Sequence, residues 1–428
     1  MFGSFKIYLY KIIHWGERHT KTDMVYLAKG GFWLTTGQVI SSISVFILAI
    51  VFANLLPRDI YGIYKYVLSI AGIFAALTLR GMDTAVFHAI ARGFDGVFFR
   101  ALRTKIKWGL LASLAGILIS IYYYINGNNT LSFSFLIIAG FLPLMDSFGL
   151  YHALLRGKKL FNLSAIYGAV SQIGSVSALI IGVLFTQNLF IILFIYFASW
   201  TIFRFVFLII TIKKITTNEN YDPKTISYGK HSSFINILDT LVSSVDSLLI
   251  FHYLGTVNLA IYSFAIAPIS QIKNLTGNIS TLAIPKLSVR SSEKINGLLK
   301  RRILLLFVIG LGVYFLYILA APYIYQIFFP KYTDAIFFSQ LFALTMVLSF
   351  PQTIFGAAIT SKLTSIPPKM LYLWNLPGII FIIFSLIFVV KLGIIGVILG
   401  RLLSLVAGFV INLIVWKKVK EVEKSQLL

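Results

Sequence analysis

Residues 213–230 read KKITTNENYDPKTISYGK, the most polar interior stretch of a chain that is otherwise largely apolar. Working outward from it, the sequence divides evenly. On the N-terminal side, segments long enough to cross a bilayer, which takes roughly 20 apolar residues, stand near 33–56, 63–87, 106–125, 133–154, 164–185 and 189–212. On the C-terminal side they stand near 232–253, 257–283, 303–325, 336–361, 370–390 and 394–416. This pattern predicts an all-α integral membrane protein of twelve transmembrane helices in two six-helix lobes. The expected parts are a cytoplasmic or interfacial segment (1–31), an N-lobe (32–212), a cytoplasmic linker (213–230), a C-lobe (231–416) and a cytoplasmic tail (417–428).

The distribution of charge tests the count. Twelve spans put both termini and every even-numbered connection on one face, and 29 of the 37 Lys and Arg residues fall there. The opposite face holds Arg58, Lys65, Lys331 and Lys391. Cytoplasmic loops retain positive charge, so both termini are expected in the cytoplasm. The net charge of +23 is thereby a topological signal, and nucleic acid is not expected as a partner.

Composition narrows the classes further. Residues are 58% hydrophobic and 12% charged, against roughly 25% charged in a soluble domain. The chain has no cysteine, which excludes disulfides, thiol nucleophiles and Cys-ligated metals. The first apolar run, about 24 residues, exceeds the 7–15 residues of a signal-peptide core and is expected to remain as a helix. No P-loop, nucleophile elbow, zinc-protease motif or dinucleotide fingerprint is present, so no cofactor is expected. Residues 2–15, FGSFKIYLYKIIHW, have the mixed aromatic and basic character of an interfacial helix, the alternative being a disordered tail.

An internal repeat supports the two-lobe reading. Leu56–Tyr64 (LPRDIYGIY) and Leu254–Tyr262 (LGTVNLAIY) lie 198 residues apart, each between the first two helices of its half. Leu56, Ile63 and Tyr64 match Leu254, Ile261 and Tyr262, as expected of parallel repeats about an axis normal to the membrane.

Motifs in both halves carry a family likeness. Lys29-Gly30 precedes the first helix, AxxLxxxxxGxY runs across 53–64, and Gly81, Ala85 and IAR at 90–92 follow. The second half has Asp246-Ser247-Leu248-Leu249-Ile250, then Tyr253-Leu254-Gly255, Ile261-Tyr262 and Ile284-Pro285-Lys286-Leu287. This set resembles the polysaccharide flippases, the Wzx-type O-antigen and capsule exporters of the multidrug/oligosaccharidyl-lipid/polysaccharide superfamily, which includes the MATE-like transporters. The resemblance implies a V-shaped pair of lobes that alternate between inward-open and outward-open states in a bacterial or archaeal inner membrane. The implied cargo is a prenyl-diphosphate-linked oligosaccharide delivered to the outer leaflet, with membrane lipids around the protein and a polysaccharide polymerase as a downstream partner.

Ionisable groups at bilayer depth are costly and mark function by default. Arg80 and Asp83 stand three residues apart near the cytoplasmic end of the second span: Arg80 is a candidate diphosphate ligand through its bidentate fork, and the alternative is a self-neutralising pair. Arg204, Lys273 and Arg401 are the other candidate substrate-binding cations, with Arg401 placed to snorkel outward. Asp83, Asp146, Asp239 and Asp246 are candidates for ion coupling (H+ or Na+) or charge pairing, with Arg204 or Lys273 the expected partner of Asp246, and Arg204 that of Asp146. Pro143, Pro268, Pro351 and Pro377 are candidate hinges. Gly396, Gly400, Ser404 and Gly408 form a small-residue packing stripe.

Three functions compete. A flippase requires a cationic chamber; an ion-coupled drug or metabolite antiporter of the same superfamily calls for an acidic or aromatic one; a membrane enzyme requires a large outer loop with paired acidic or His residues. The intramembrane cations favour the first, and the short outer loops disfavour the third.

Overall fold

The computed structural model describes residues 24–288, 292–362 and 372–425, and residues 2–15 lie outside this range. The described residues are helical with no strand. They form α1 (Met24–Leu55), α2 (Arg58–Phe74), α3 (Gly81–Ala91), α4 (Val97–Ile125), α5 (Asn129–Phe148), α6 (Tyr151–Gly157), α7 (Phe161–Phe185) and α8 (Leu189–Lys214). The second half holds α9 (Pro223–Ile235), α10 (Ile237–Leu254), α11 (Thr256–Ser288), α12 (Ser292–Phe328), α13 (Ile336–Ser361), α14 (Leu376–Leu392) and α15 (Ile394–Ser425).

Twelve rods result, because α2 with α3, α5 with α6, and α9 with α10 each make one interrupted span. Ten rods are long and apolar enough to cross a membrane. The others are α11 and the seventeen-residue α14. With the 3-10 turn Tyr372–Asn375 that precedes it, α14 reaches about 34 Å.

Local chemistry sets several helix starts. Asn128, Asn188 and Asp222 each accept a backbone N–H from the first turn of α5, α8 and α9, which satisfies donors that a helix N-terminus leaves unpaired. Pro223 then follows its cap in α9, so this helix begins inside the polar 213–230 stretch.

The interruptions are not at the prolines. Pro143 and Pro351 lie within α5 and α13, Pro268 within α11, and Pro377 in the first turn of α14, where a missing N–H costs nothing. The second span instead breaks at Leu79, which is buried and left-handed at φ 60°. That conformation costs an L-residue about 1–2 kcal/mol. The fourth span breaks at Gly149–Leu150 and the seventh at Asn236.

Helix neighbours show the repeat directly. In the first half, span 1 packs on 5, 5 on 6, 6 on 4 and 4 on 3; in the second, 7 packs on 11, 11 on 12, 12 on 10 and 10 on 9. Between halves, 1 meets 8, 2 meets 7, and 2 meets 8. Exchanging each span with its counterpart six places on leaves this pattern unchanged, as a pseudo-twofold axis passing between spans 2 and 8 requires. The small-residue stripe of α15 packs as its spacing predicts: a Cβ at Gly396 would meet the Phe388 carbonyl, one at Gly400 would meet Ser385, and Ser404 donates to the Pro377 carbonyl at 2.7 Å.

The apolar core divides unequally. At the charge-poor ends of the spans, one cluster runs through both lobes, joining Phe52, Tyr61 and Tyr64 to Phe264, Tyr325 and Tyr332. Toward the basic face two separate clusters replace it. One is built on Met82, Phe98, Tyr151 and Leu208 of the first half, the other on Leu287, Phe355 and Trp416 of the second. The halves therefore share one apolar core at the charge-poor face, whereas toward the basic face the core splits in two and α3 and α9 keep the halves in contact.

Candidate functional site

Polar bonds reinforce the fused end. Arg58 pairs with Asp334 at 2.6 Å, donates to the Lys331 carbonyl, and lies 5.0 Å over the Tyr332 ring. Lys331 reaches the Asn54 carbonyl at 2.7 Å, and Asn54 donates to the Phe328 carbonyl at 3.0 Å. Gly62 belongs to the first copy of the repeat and Thr256 to the second. A Cβ on Gly62 would sit 2.0 Å from the Thr256 carbonyl oxygen, so only glycine permits this approach.

Deeper in the N-lobe, the break at Leu79 turns Arg80 toward Asp146 of α5. Arg80 Nε lies 3.8 Å and Arg204 Nη1 3.9 Å from the same Asp146 oxygen. Thr78 donates its hydroxyl to the other oxygen. Arg204 is fixed further by the Met145 carbonyl at 2.8 Å and by Trp200, whose ring lies 5.1 Å away. Among the described residues Arg80 has no such anchor, and its side chain is 49% exposed. Two guanidiniums thus share one carboxylate. Asp83 does not pair with Arg80, although they are three residues apart. It meets Lys105 at 2.6 Å, and Lys105 is completely buried.

The C-lobe has a different arrangement. Asp246 accepts from Arg401 at 3.1 Å and from the Tyr262 hydroxyl at 2.8 Å. Its expected partners, Lys273 and Arg204, are engaged elsewhere: Lys273 donates to Thr345 at 2.7 Å and lies 5.0 Å from the Phe342 ring, and Arg204 belongs to the N-lobe cluster. Arg401 does not snorkel outward. Its guanidinium stacks 3.7 Å over Phe381 and turns in to Asp246, because a partner carboxylate and an aromatic face offset its desolvation better than a long reach to water. Asp239 is exposed and forms no ion pair among the described residues.

Sequence reasoning therefore paired Asp146 with Arg204 and missed Lys105, Thr78 and Tyr262. Lys105 lies just ahead of the apolar 106–125 run, yet it sits in the third turn of α4 on a line with Ala101, Gly109, Ala112 and Gly116, all buried. Its place on that small-residue line was the available signal. Tyr262 stands in the sequence as the repeat partner of Tyr64 and in the Ile261-Tyr262 motif, neither of which points to Asp246. No group of His, Asp or Glu among the described residues has the makings of a metal site.

Comparison with known proteins agrees with this architecture. The polysaccharide biosynthesis protein family matches residues 27–291. No curated protein sequence matches. Among solved structures, the lipid II flippase MurJ in an inward closed conformation is similar with a TM-score of 0.66 at 15% identity, over 92% of this chain and 90% of that one. A MATE protein in complex with MaD5 gives 0.60 at 14% identity, covering 92% and 96%. An outward-facing multidrug resistance MATE family transporter of the MOP superfamily gives 0.56 at 18% identity, again over 92% and 96%. The chain belongs to the polysaccharide biosynthesis protein family and has the twelve-span, two-lobe transporter fold of MurJ and the MATE proteins.

Proposed function

We propose that this transporter is a flippase that carries a prenyl-diphosphate-linked oligosaccharide between leaflets by alternating access. The observation that carries the reading is the shared carboxylate of the N-lobe. Arg80 and Arg204 both face Asp146, which leaves an excess positive charge at membrane depth, and such a charge needs water or an anionic ligand. Arg80 is the more exposed and the less anchored of the two, so it is the group that meets the diphosphate, with Arg204, Lys273 and Arg401 shaping the surrounding potential. A cationic drug is repelled by the same field, and the antiporter reading weakens accordingly. Neither the family nor the fold points to an enzyme.

The basic face is taken as cytoplasmic, in a bacterial or archaeal inner membrane with both termini inside, on the strength of the charge bias. With one core shared at the charge-poor end and two separate cores at the basic end, where α3 and α9 still touch, the lobes are read as a cargo-accepting state. For coupling to H+ or Na+, Asp146 is the better candidate. Asp246 is locked by Arg401 at 3.1 Å and Tyr262, whereas Asp146 has the Thr78 hydroxyl but holds both its arginines at nearly 4 Å, and neutralising it frees Arg80 for cargo. The test is reconstitution in liposomes with headgroup translocation of a prenyl-diphosphate sugar measured beside uptake of a cationic dye. Movement of the dye alone refutes the flippase reading.

A further inference from the structure

Where α3 and α9 meet at the basic face, the two broken spans leave an open cavity of about 370 Å³ lined by Ala85, His88, Arg92, Asp222, Lys224, Thr225 and Tyr228. Two close contacts build it. A Cβ at Gly81 would strike the Ser233 backbone, and one at Gly229 would strike Met82, so α3 and α9 touch on one side and splay apart on the other.

The charges in the cavity are unevenly committed. Asp222 accepts from the Lys224 backbone N–H at 3.0 Å, from Thr225 at 3.0 Å and from Arg92 at 2.9 Å. The backbone bond leads in holding its carboxyl below the usual carboxylate range, so the one acid here is ionised and occupied. Lys224 and His88 are exposed and form no ion pair among the described residues. Arg92 keeps donors beyond those it gives to Asp222 and the His88 carbonyl. Tyr228, 57% exposed, and Ala85 add apolar surface beside the cations.

The position along α3 gives this site a direction. Arg80, Thr84, His88 and Arg92 are all exposed and recur every four residues, a ladder about 18 Å long at 1.5 Å per residue. One end is the cavity and the other is the guanidinium that shares Asp146.

We propose that this cavity is a docking site for the phosphate-ester headgroup of a prenyl diphosphate, gripped by Lys224, His88 and Arg92 with Tyr228 against the first apolar or sugar unit, before the headgroup moves along α3 to Arg80. It deepens the flippase reading and rests on it for direction of travel only.

The test is equilibrium binding of radiolabelled farnesyl diphosphate to the full chain in phosphatidylcholine nanodiscs, in an Arg80→Gln background so that the deeper site does not contribute. Adding His88→Gln and Lys224→Gln is expected to weaken binding about tenfold with the melting temperature unchanged. Equal affinity overturns the proposal. Should the triple variant not fold, Lys224→Glu in the same background replaces it, with the same two outcomes. Competition identifies the source of the phosphate. Inorganic pyrophosphate that competes far more weakly than farnesyl diphosphate supports a lipid headgroup. Equal potency of pyrophosphate, or displacement by phosphatidylglycerol, overturns it in favour of a free-anion or bulk-lipid site. A chain that binds through His88 and Lys224 yet moves no headgroup in liposomes keeps the docking site and removes the flippase reading.

Discussion

Arg58 and Asp334 join the two lobes at 2.6 Å, one at the start of α2 and the other just before α13. Both side chains are more than a third exposed, so the pair contributes little to global stability, on the order of 0–1 kcal/mol. Under the alternating access proposed above, its effect is on the balance between states, because opening the charge-poor face would break it. The chain has no native cysteine, so Arg58→Cys/Asp334→Cys can be bridged cleanly with a short bifunctional methanethiosulfonate. Bridging is expected to abolish headgroup translocation, and reduction to restore it. Undiminished transport by the bridged protein would mean that this face need not open.

Gly62 makes a sharper demand on the same seam. With the Thr256 carbonyl 2.0 Å from where a Cβ would lie, Gly62→Val cannot be absorbed by side-chain rotation, because backbone blocks it. The expected outcome is a protein that folds but holds its charge-poor face open. Maleimide labelling of a cysteine placed at Thr256 should rise in Gly62→Val relative to the Gly62 parent. Equal labelling would show that the lobes do not close at this glycine.

The Lys105–Asp83 pair predicts an asymmetry. Lys105 is fully buried, whereas the Asp83 side chain is 46% exposed. Removing the carboxylate strands a buried ammonium and should cost about 3–5 kcal/mol. Removing the ammonium leaves a carboxylate that water can reach, at a smaller cost. Asp83→Asn should therefore melt well below Lys105→Met in detergent, and the double variant should recover part of the loss. The reverse order would contradict the burial on which this rests.

In the C-lobe, Asp246 receives one neutral and one charged side-chain donor beside the Ser247 backbone N–H. Tyr262→Phe removes the neutral one and should cost about 1 kcal/mol, whereas Asp246→Ala also strips Arg401 of its counter-charge and should cost more. Thermal melts of the two variants check this, and equal losses would mean that Arg401 is satisfied without Asp246.

The parts of this architecture that were legible in the sequence are those written in hydropathy and charge. The polar 213–230 stretch and the alternating basic loops led to two lobes, and the four-residue stripe of α15 packs as its spacing requires. The interruptions were harder, because nothing local marks Leu79 for a left-handed backbone. That conformation is imposed by the packing around it, and proline, the usual sequence signal for a kink, lies elsewhere. Pairing was hardest of all. Arg80 and Asp83 are neighbours in sequence but turn to different helices once the span breaks between Thr78 and Gly81. Asp246 found Arg401, 155 residues away, and no periodicity encodes such a contact.

The central claim is that the intramembrane cations receive an anionic headgroup. Its most direct test is headgroup translocation of a prenyl-diphosphate sugar by proteoliposomes, comparing the wild-type chain with an Arg80→Gln/Arg204→Gln/Lys273→Gln variant at matched insertion and melting temperature. Transport is expected from the first and none above background from the second; a triple variant that transports at the wild-type rate would show that these cations do not receive the headgroup.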